Sequence, residues 1–325
     1  MTSAAVTGAN GHIGNVICRE LSGQGIDTRA IIHHRSDALS SVAIKRVVAD
    51  IEDLQHLIKT FSGVDTVFHL AARISLNPRQ AAATQKINWQ GTRNVIEACR
   101  QAKVETLVYF SSIHVLDPDP QHETMDEHRA YSLESNLAYE VSKMRAELDV
   151  LQVKDFRVIV ILPTSVIGPF DFGPSLMGQA IRKIYNSALP AILPYGFNWV
   201  DVRDVAMGSI EAARNGISGS RFILSGHYET LPGLVDIIRE FNANVKKPFL
   251  CPPSLAYTMI PIYSQIMYAL GKEPLYNKTS LDILRTAPIK ISSQKAEREL
   301  GYTPRALRST IWDTLEWMNS QNSSK

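Results

Sequence analysis

The stretch from Val6 to Gly14 constrains the fold of this chain more than any other. It reads Val-Thr-Gly-Ala-Asn-Gly-His-Ile-Gly, after a short apolar run and before a helical pattern. Gly8 allows a tight turn, Gly11 allows backbone to approach a pyrophosphate, and Gly14 allows a helix to pack closely on a strand. Backbone N–H groups at the start of a helix favour bound phosphate. We therefore predict a strand, a dinucleotide-binding turn and a helix. A strand–helix turn without a ligand is the alternative.

Apolar runs alternate with helical patterns through the first half of the chain, which is typical of a parallel sheet with helices on both faces. Several runs are rich in β-branched residues, as strands buried on both faces require. We predict strands over 3–7, 28–32, 46–49, 66–70, 106–110 and 157–162. We predict helices over 12–21, 53–60, 81–101 and 137–151. The helix 201–214 and the strand 221–224 are expected to rejoin this sheet.

Prolines and glycines cluster after Pro163, which indicates a second, smaller lobe of loops and short helices. The fold class predicted is α/β, a Rossmann-type doubly wound parallel sheet with a smaller C-terminal substrate-binding lobe. The dinucleotide-binding domain is expected over 1–165, with 198–225 returning to it. The smaller lobe is expected over 166–197 and 226–325.

Apolar residues recur at helical spacing over 255–270, with Pro261 among them. We expect a core helix of the smaller lobe there. A helix lying on a membrane surface is the alternative, which is less favoured because few basic residues flank the stripe.

The bulk properties of the chain exclude some classes of protein. Its 325 residues carry a net charge of +2, which argues against bulk attraction to nucleic acid. Cys18, Cys99 and Cys251 have no paired or metal-like spacing, so we expect a reducing compartment and no metal site. Neither a signal peptide nor an apolar run long enough to span a membrane is recognisable. We therefore expect a cytoplasmic protein without a membrane span.

Two segments carry residue types suited to catalysis. Tyr139 and Lys143 are four apart, which on a helix places them on one face. A nearby cation favours phenolate and lowers the pKa of a tyrosine, which suits general acid–base catalysis. Ser111 and Ser112 follow an apolar strand, and ligands of open α/β sheets bind at the carboxyl ends of strands. Taken alone, a Tyr four residues before a Lys is common on solvated helices, and a Ser-Ser pair after a strand is common at the start of a loop. Together with the glycine turn, the two segments indicate a catalytic site.

These segments and several others make the chain resemble the extended short-chain dehydrogenases/reductases, which include nucleotide-sugar epimerases, dihydroflavonol reductases and 3β-hydroxysteroid dehydrogenases. The motifs that carry the resemblance lie, in the expected order, at 7–14, 49–51, 69–72, 88–92, 111–112, 139–143, 163–169 and 199–206. They cover most of the chain and are weakest over 226–281. As a set they are specific for the superfamily and poorly specific for the substrate.

The resemblance implies roles for single residues. Tyr139 would be the acid/base, Lys143 would hold the nicotinamide ribose and depress the pKa of Tyr139, and Ser112 would orient the substrate oxygen. Asp50 and Ile51 would border the adenine. The implied cofactor contacts are Gly8, Asn10, Gly11, His12, Ile13, Gly14, Asp50, Ile51, Leu70, Ala71, Ala72, Ser111, Lys143, Pro163 and Val166. Asn88 is expected to tie a helix to a strand.

The choice between the two nicotinamide cofactors should be made at the end of the second strand. A carboxylate there would accept a hydrogen bond from the ribose of NAD(H) and repel the 2′-phosphate of NADP(H). The chain instead has His33, His34 and Arg35, and an arginine is a good phosphate partner. We therefore favour NADP(H), with NAD(H) as the alternative.

Departures from the superfamily patterns narrow the reaction. Ile113 and His114 stand where sugar dehydratases of the superfamily carry an acidic pair. Ser165 stands where sugar-nucleotide epimerases commonly have an asparagine. We therefore favour reversible oxidoreduction of a carbonyl and an alcohol on a small, fairly apolar molecule. A nucleotide-sugar epimerase and a non-catalytic dinucleotide-binding regulator are the alternatives. The long helices 81–101 and 137–151 resemble those of a dimer interface, so we expect a homodimer.

Overall fold

The computed structural model describes residues 1–34, 37–75, 77–270 and 277–323. Its strands are β1 (Ser3–Thr7), β2 (Asp27–Ile32), β3 (Lys45–Val48), β4 (Thr66–His69), β5 (Thr106–Phe110), β6 (Arg157–Pro163), β7 (Ser165–Ile167), β8 (Ala191–Ile192), β9 (Gly196–Asp201), β10 (Ser220–Leu224), β11 (His227–Thr230) and β12 (Phe249–Leu250). Its α-helices are α1 (His12–Gly23), α2 (Leu54–Phe61), α3 (Ala81–Gln85), α4 (Gly91–Ala102), α5 (Ala138–Leu151), α6 (Leu176–Tyr185), α7 (Val202–Asn215), α8 (Leu231–Phe241), α9 (Pro253–Ala269), α10 (Lys278–Thr286), α11 (Gln294–Leu300) and α12 (Leu307–Ser323).

Seven parallel strands form the central sheet in the order β10-β6-β5-β4-β1-β2-β3. The order reverses at β1, next to β4, which is the switch point where open α/β sheets bind ligands. Strands such as β5 are buried at every residue, because helices cover both faces. The predicted fold class is therefore confirmed, and each predicted central strand lies within one residue of the observed bounds at either end.

The helices pack on the two faces of the sheet through separate apolar clusters. On one face, α1 packs against α7 through Val16, Ile17, Val205 and Ile210. On the other face, Leu57 of α2 and Val95 of α4 belong to a second cluster. The first strand and the glycine turn are therefore held between two apolar layers.

A third apolar cluster lies away from the central sheet. Strands β7, β9 and β11 form a three-stranded sheet, and β8 pairs with β12. Trp199 of β9 is buried in this cluster with residues of α6, α8 and α12. The chain thus returns to the central sheet with α7 and β10, and β9 belongs to the smaller sheet.

The predicted helix over 81–101 is interrupted. A π-helical turn over Lys86–Gln90 separates α3 from α4, and Asn88 lies within this turn. π-turns inside helices are frequent at functional sites because they displace one side chain from the regular helical face.

The prediction of a core helix over 255–270 is wrong in one respect. Helix α9 forms and continues through Pro261, but most of its large apolar side chains are exposed. Among the side chains of α9 that the structure describes, only Ala256 and Ser264 are buried, while Tyr257 and Ile260 are partly covered by the third cluster. A helical stripe specifies an apolar face but does not specify what covers it. None of the helices in the described ranges combines the length and apolar character that a membrane span requires.

Candidate active site

The glycine turn joins β1 to α1 in a conformation that needs its glycines. Gly8 has φ +69°, and a Cβ there would lie 2.8 Å from the backbone nitrogen of Ala71. A Cβ at Gly14 would lie 2.4 Å from the carbonyl oxygen of Gly8. Helix α1 begins after Gly11, which provides no side-chain cap, so its first N–H groups face outward without a side-chain partner. The geometry is that of a phosphate-binding turn.

The surroundings of this turn fit a dinucleotide. His12 Nε2 lies 3.0 Å from the carbonyl oxygen of Pro169, and its Nδ1 is buried without a hydrogen-bond partner among the described residues. The predicted contact residues Leu70, Ala71 and Ala72 follow β4 directly, where small side chains leave room beside Gly8. Ile13 packs on the same apolar cluster as β1.

The end of β2 is attached to the turn. Asn10 Nδ2 donates to the carbonyl oxygen of His34 at 2.8 Å. His33 is exposed, and its Nε2 lies 3.6 Å from a carboxylate oxygen of Asp50. The backbone after β3 therefore brings a carboxylate close to the first histidine. Arg35, the predicted phosphate partner, lies outside the described residues.

A buried network that the sequence did not reveal connects the ends of β1 and β4. Thr7 Oγ1 accepts from the backbone N–H groups of Leu70 and Ala71 at 3.2 Å and lies 2.7 Å from His69 Nδ1. The other ring nitrogen of His69 lies 3.0 Å from Thr92 Oγ1. Burial and the nearby Lys143 charge lower the pKa of His69 to about 3, so its ring is neutral at physiological pH.

Tyr139 and Ser112 are brought together between α5 and the end of β5. The Ser112 hydroxyl hydrogen bonds to Tyr139 and also accepts from the backbone N–H of His114 at 3.3 Å. Burial raises the pKa of Tyr139, against a lowering by the Ser112 hydrogen bond, and the Glu140 charge adds to the rise. The prediction that Lys143 lowers the pKa of Tyr139 below its usual value is therefore wrong for the protein without cofactor, because the effect of burial is larger.

Lys143 lies one helical turn from Tyr139 and is buried. Its Nζ donates to the carbonyl oxygen of Phe110 at 2.6 Å and lies 5.0 Å from the ring centre of Tyr109. Burial lowers the pKa of Lys143 from 10.5 to about 7, although the Glu147 carboxylate opposes this shift. The ammonium group therefore changes charge near neutrality in the absence of a ligand.

Glu147 completes a stripe of functional side chains on α5. It is fully buried, accepts hydrogen bonds from the hydroxyls of Ser111 and, at 2.9 Å, Tyr131, and forms an ion pair with Arg221 at 2.8 Å. The hydroxyl proton of Ser111 is thus used inside the protein, and its backbone N–H donates to the carbonyl oxygen of Ile161 at 2.8 Å. Glu147 follows Lys143 by four residues, as Lys143 follows Tyr139, and this spacing is the sequence signal that could have indicated Glu147.

Asn88 in the π-helical turn fixes the segment after β4. Its side chain exchanges two hydrogen bonds with the backbone of Arg73, at 2.7 and 3.0 Å, and donates to Ser142 Oγ at 3.0 Å. It therefore ties the 71–75 segment to α5, which carries Tyr139 and Lys143.

The remaining predicted cofactor contacts lie near the same edge of the sheet. Pro163 ends β6 and Val166 lies in β7, with Thr164 between them donating to Asn198 Oδ1 at 3.0 Å. Ile51 is buried, and a Cβ at Gly91 of α4 would lie 2.5 Å from its Cδ1. The structure thus places most of the predicted residues around the carboxyl ends of β1, β2, β4, β5 and β6.

A cavity of about 280 Å³ is lined by Ile113 and Glu140, the chain neighbours of Ser112 and Tyr139. Its wall comes from the turn after β5, from the 118–132 loop and from α10. Three of its lining side chains are ionisable: His114, Glu140 and Asp282. Nδ1 of His114 lies 3.7 Å from Glu140, and burial lowers the pKa of His114 against the opposing effect of that carboxylate. The 118–132 loop and His114 therefore both contribute to the wall of this cavity.

The fold and this arrangement define a dinucleotide-binding α/β enzyme with a Tyr–Lys pair at the switch point. The sequence model of the NAD dependent epimerase/dehydratase family matches residues 4–224. The chain belongs to this family and is an NAD(P)-dependent oxidoreductase of the extended short-chain dehydrogenase/reductase type.

Two relatives of known sequence match almost the whole chain. The sterol demethylase protein B of Methylococcus capsulatus is 28% identical over 322 residues, covering 97% of this chain and 98% of its own. A putative dihydroflavonol 4-reductase of Synechocystis is 28% identical over 326 residues, covering 97% and 94%. The crystal structure of gox2253 superimposes with a TM-score of 0.84 at 30% identity and covers 99% of both chains.

Proposed function

We propose that this enzyme interconverts a secondary alcohol and a ketone on a small, polycyclic, largely apolar substrate. The observation that carries the proposal is the proximity of Ser112 and Tyr139, whose chain neighbours Ile113 and Glu140 line a mostly apolar cavity. The two relatives named above support it, because sterols and dihydroflavonols are both polycyclic and largely apolar.

The Ser112 and Tyr139 hydroxyls would hold the reacting oxygen of the substrate. In the reductive direction, Tyr139 gives its proton to that oxygen as the carbonyl becomes an alcohol, and in the oxidative direction it takes the proton back. The nicotinamide supplies or accepts the hydride when it is bound. A protonated Lys143 stabilises the phenolate that forms on Tyr139, and Glu147 favours this protonation.

The cofactor would lie across the carboxyl ends of β1, β2 and β4. Its pyrophosphate would contact the turn 8–14, and its ribose would contact Lys143. We favour NADP(H) over NAD(H), because His33, His34 and Arg35 follow β2 and no carboxylate stands among them. The proximity of Asp50 to His33 is the observation that favours NAD(H) instead.

We propose the following organisation for the whole protein. Residues 1–165 with 198–225 bind the dinucleotide, while 166–197 and 226–325 form the substrate lobe. The protein acts in the cytoplasm as a homodimer that pairs through α4 and α5.

The proposal is tested by incubating the purified protein with 3β-hydroxysteroids and UDP-sugars in the presence of NADP⁺ or NAD⁺, and with dihydroflavonols in the presence of NADPH or NADH. Nicotinamide reduction with the hydroxysteroids, or nicotinamide oxidation with the dihydroflavonols, lost in Tyr139→Phe, is the expected result. Conversion of a UDP-sugar without net change in the nicotinamide would show an epimerase and overturn the proposal.

A further inference from the structure

Helix α9 and strand β12 expose a continuous set of large apolar side chains. We call these residues the α9 surface: Phe249, Leu250, Leu255, Met259, Ile262, Tyr263, Ile266 and Leu270, which are 41–64% exposed. Only the opposite side of the helix contacts the third apolar cluster. Contiguous exposed apolar residues mark an interaction site.

The segments that flank the α9 surface carry more cations than carboxylates, although one of these cations, Lys247, forms an ion pair with Asp236 at 2.7 Å. Helix α9 itself carries no charged side chain. Within the described ranges 246–270 and 277–290, one carboxylate, Asp282, accompanies a set of cations: Lys246, Lys247, Lys278, Arg285 and Lys290. Asp282 accepts a hydrogen bond from Tyr257 of α9 at 3.0 Å, so α10 and its cations pack beside the apolar helix.

We propose that the α9 surface docks onto the anionic surface of a lipid bilayer, with α9 lying in the interface. Apolar residues would enter the boundary of the acyl chains, and the surrounding cations would contact anionic headgroups. A second copy of the chain is the less favourable occupant. A symmetric dimer places the same patch on both sides, so the cations of one copy would face those of the other.

The docked helix lies next to the substrate cavity. Helix α10 packs on α9 and contributes Thr279, Asp282, Ile283 and Thr286 to the cavity wall. An apolar compound dissolved in the bilayer would therefore enter the cavity from the docked side. This last step rests on the proposed function, whereas the docking does not.

The experiment measures co-sedimentation of the full chain with vesicles of phosphatidylcholine, with and without phosphatidylglycerol, in the absence of substrate and cofactor. We expect binding that increases with phosphatidylglycerol and falls with salt. The double variant Ile262→Gln/Ile266→Gln should reduce the partition coefficient roughly tenfold or more, because two half-exposed apolar side chains lose their transfer free energy. Ile217→Gln is the matched control, since Ile217 is 76% exposed in the loop after α7 and should bind like the wild type.

A second variant separates the electrostatic contribution to vesicle binding from the apolar contribution. Lys246→Gln/Lys278→Gln should weaken binding to the phosphatidylglycerol vesicles roughly tenfold and leave binding to pure phosphatidylcholine unchanged. No vesicle binding by the wild type, or equal binding by all variants, would overturn the proposal. If the wild type were a dimer that bound no vesicles, and the Ile262→Gln/Ile266→Gln variant were a monomer, the α9 surface would be assigned to a second copy instead. Because the readout is binding, inactivity toward the proposed substrates would not affect these outcomes.

Discussion

Nε of Arg221 in β10 lies 2.8 Å from Oε1 of Glu147, a fully buried carboxylate one helical turn after Lys143. Arg221 also stacks over the ring of Tyr131 at 4.9 Å, which donates to the same carboxylate. The catalytic helix α5 is thereby attached to an edge strand of the central sheet and to the loop beside the cavity.

We expect Glu147→Gln to destabilise the protein by about 3–5 kcal/mol, because it leaves a mostly buried guanidinium without its counter-ion. Urea denaturation of the cofactor-free protein measures the loss. Glu97→Gln is the control, since Glu97 forms a surface pair with Arg100 that is worth less than about 1 kcal/mol. Equal effects of the two substitutions would contradict the structural role of Glu147.

Tyr139→Phe should lower kcat by roughly a hundredfold or more, because positioned proton transfer contributes ~10²–10⁴ in rate. Cofactor affinity, measured by fluorescence titration, should barely change. Tyr228→Phe, on β11 and remote from α5, should retain normal turnover. Near-normal turnover of Tyr139→Phe would refute the assignment.

Gly11→Val should abolish cofactor binding and leave the fold intact. Gly11 has a negative φ, and a Cβ there would lie 3.1 Å from the Gly8 carbonyl oxygen, so valine is accommodated with a small shift. Its side chain would nevertheless occupy the space that the pyrophosphate needs. Gly23→Ala is the control, because a Cβ at the end of α1 meets nothing within 4 Å. Cofactor affinity that is unchanged in a folded Gly11→Val protein would exclude this turn as the phosphate site.

Arg35→Ala should weaken NADPH binding roughly tenfold or more and leave NADH binding almost unchanged. A charge-assisted hydrogen bond to the 2′-phosphate is worth ~1.5–3 kcal/mol, and NADH offers only a hydroxyl there. The measurement is the dissociation constant of each cofactor for the wild type and for Arg35→Ala, with Arg298→Ala as a surface control. Tighter binding of NADH than of NADPH by the wild type would show that Asp50 outweighs the basic residues.

The sequence predicted the central sheet and the catalytic pair because both depend on local patterns. Strands buried on both faces are continuous apolar runs, and Tyr139 and Lys143 share one helix face. The glycine turn could be recognised because its residues are adjacent in the chain.

Features that depend on distant segments could not be predicted in this way. The Glu147 network needs Arg221 from β10 and Tyr131 from a loop, which only the fold brings together. Burial outweighs the expected effect of Lys143 on the pKa of Tyr139, because desolvation depends on all surrounding atoms. Likewise, the exposure of α9 depends on which elements pack against it.

The stability of the cofactor-free protein should rise with pH just above neutrality because of Lys143. Folding lowers the pKa of this lysine from 10.5 to about 7, so above pH 7 the native state loses a proton that the unfolded state keeps. The unfolded state then binds more protons, and stability increases with pH. Between pH ~7 and ~8 the increase should amount to about 1 kcal/mol, because the slope approaches ~1.36 kcal/mol per pH unit as the native lysine becomes neutral.

Urea denaturation of the wild type across this window measures that increase, and Lys143→Met should remove it. The window avoids the neutral His69, whose lowered pKa contributes only below about pH 6.5. It ends below the pKa of about 8.5 of unfolded cysteine thiols, whose ionisation would oppose the rise because burial raises the pKa of Cys18 and Cys99 in the native protein. Lys154→Met is the control, because Lys154 is exposed after α5 and should keep the wild-type slope. If Lys143→Met retained the full rise, another group would be responsible, and Lys143 would be charged in the native protein throughout this range.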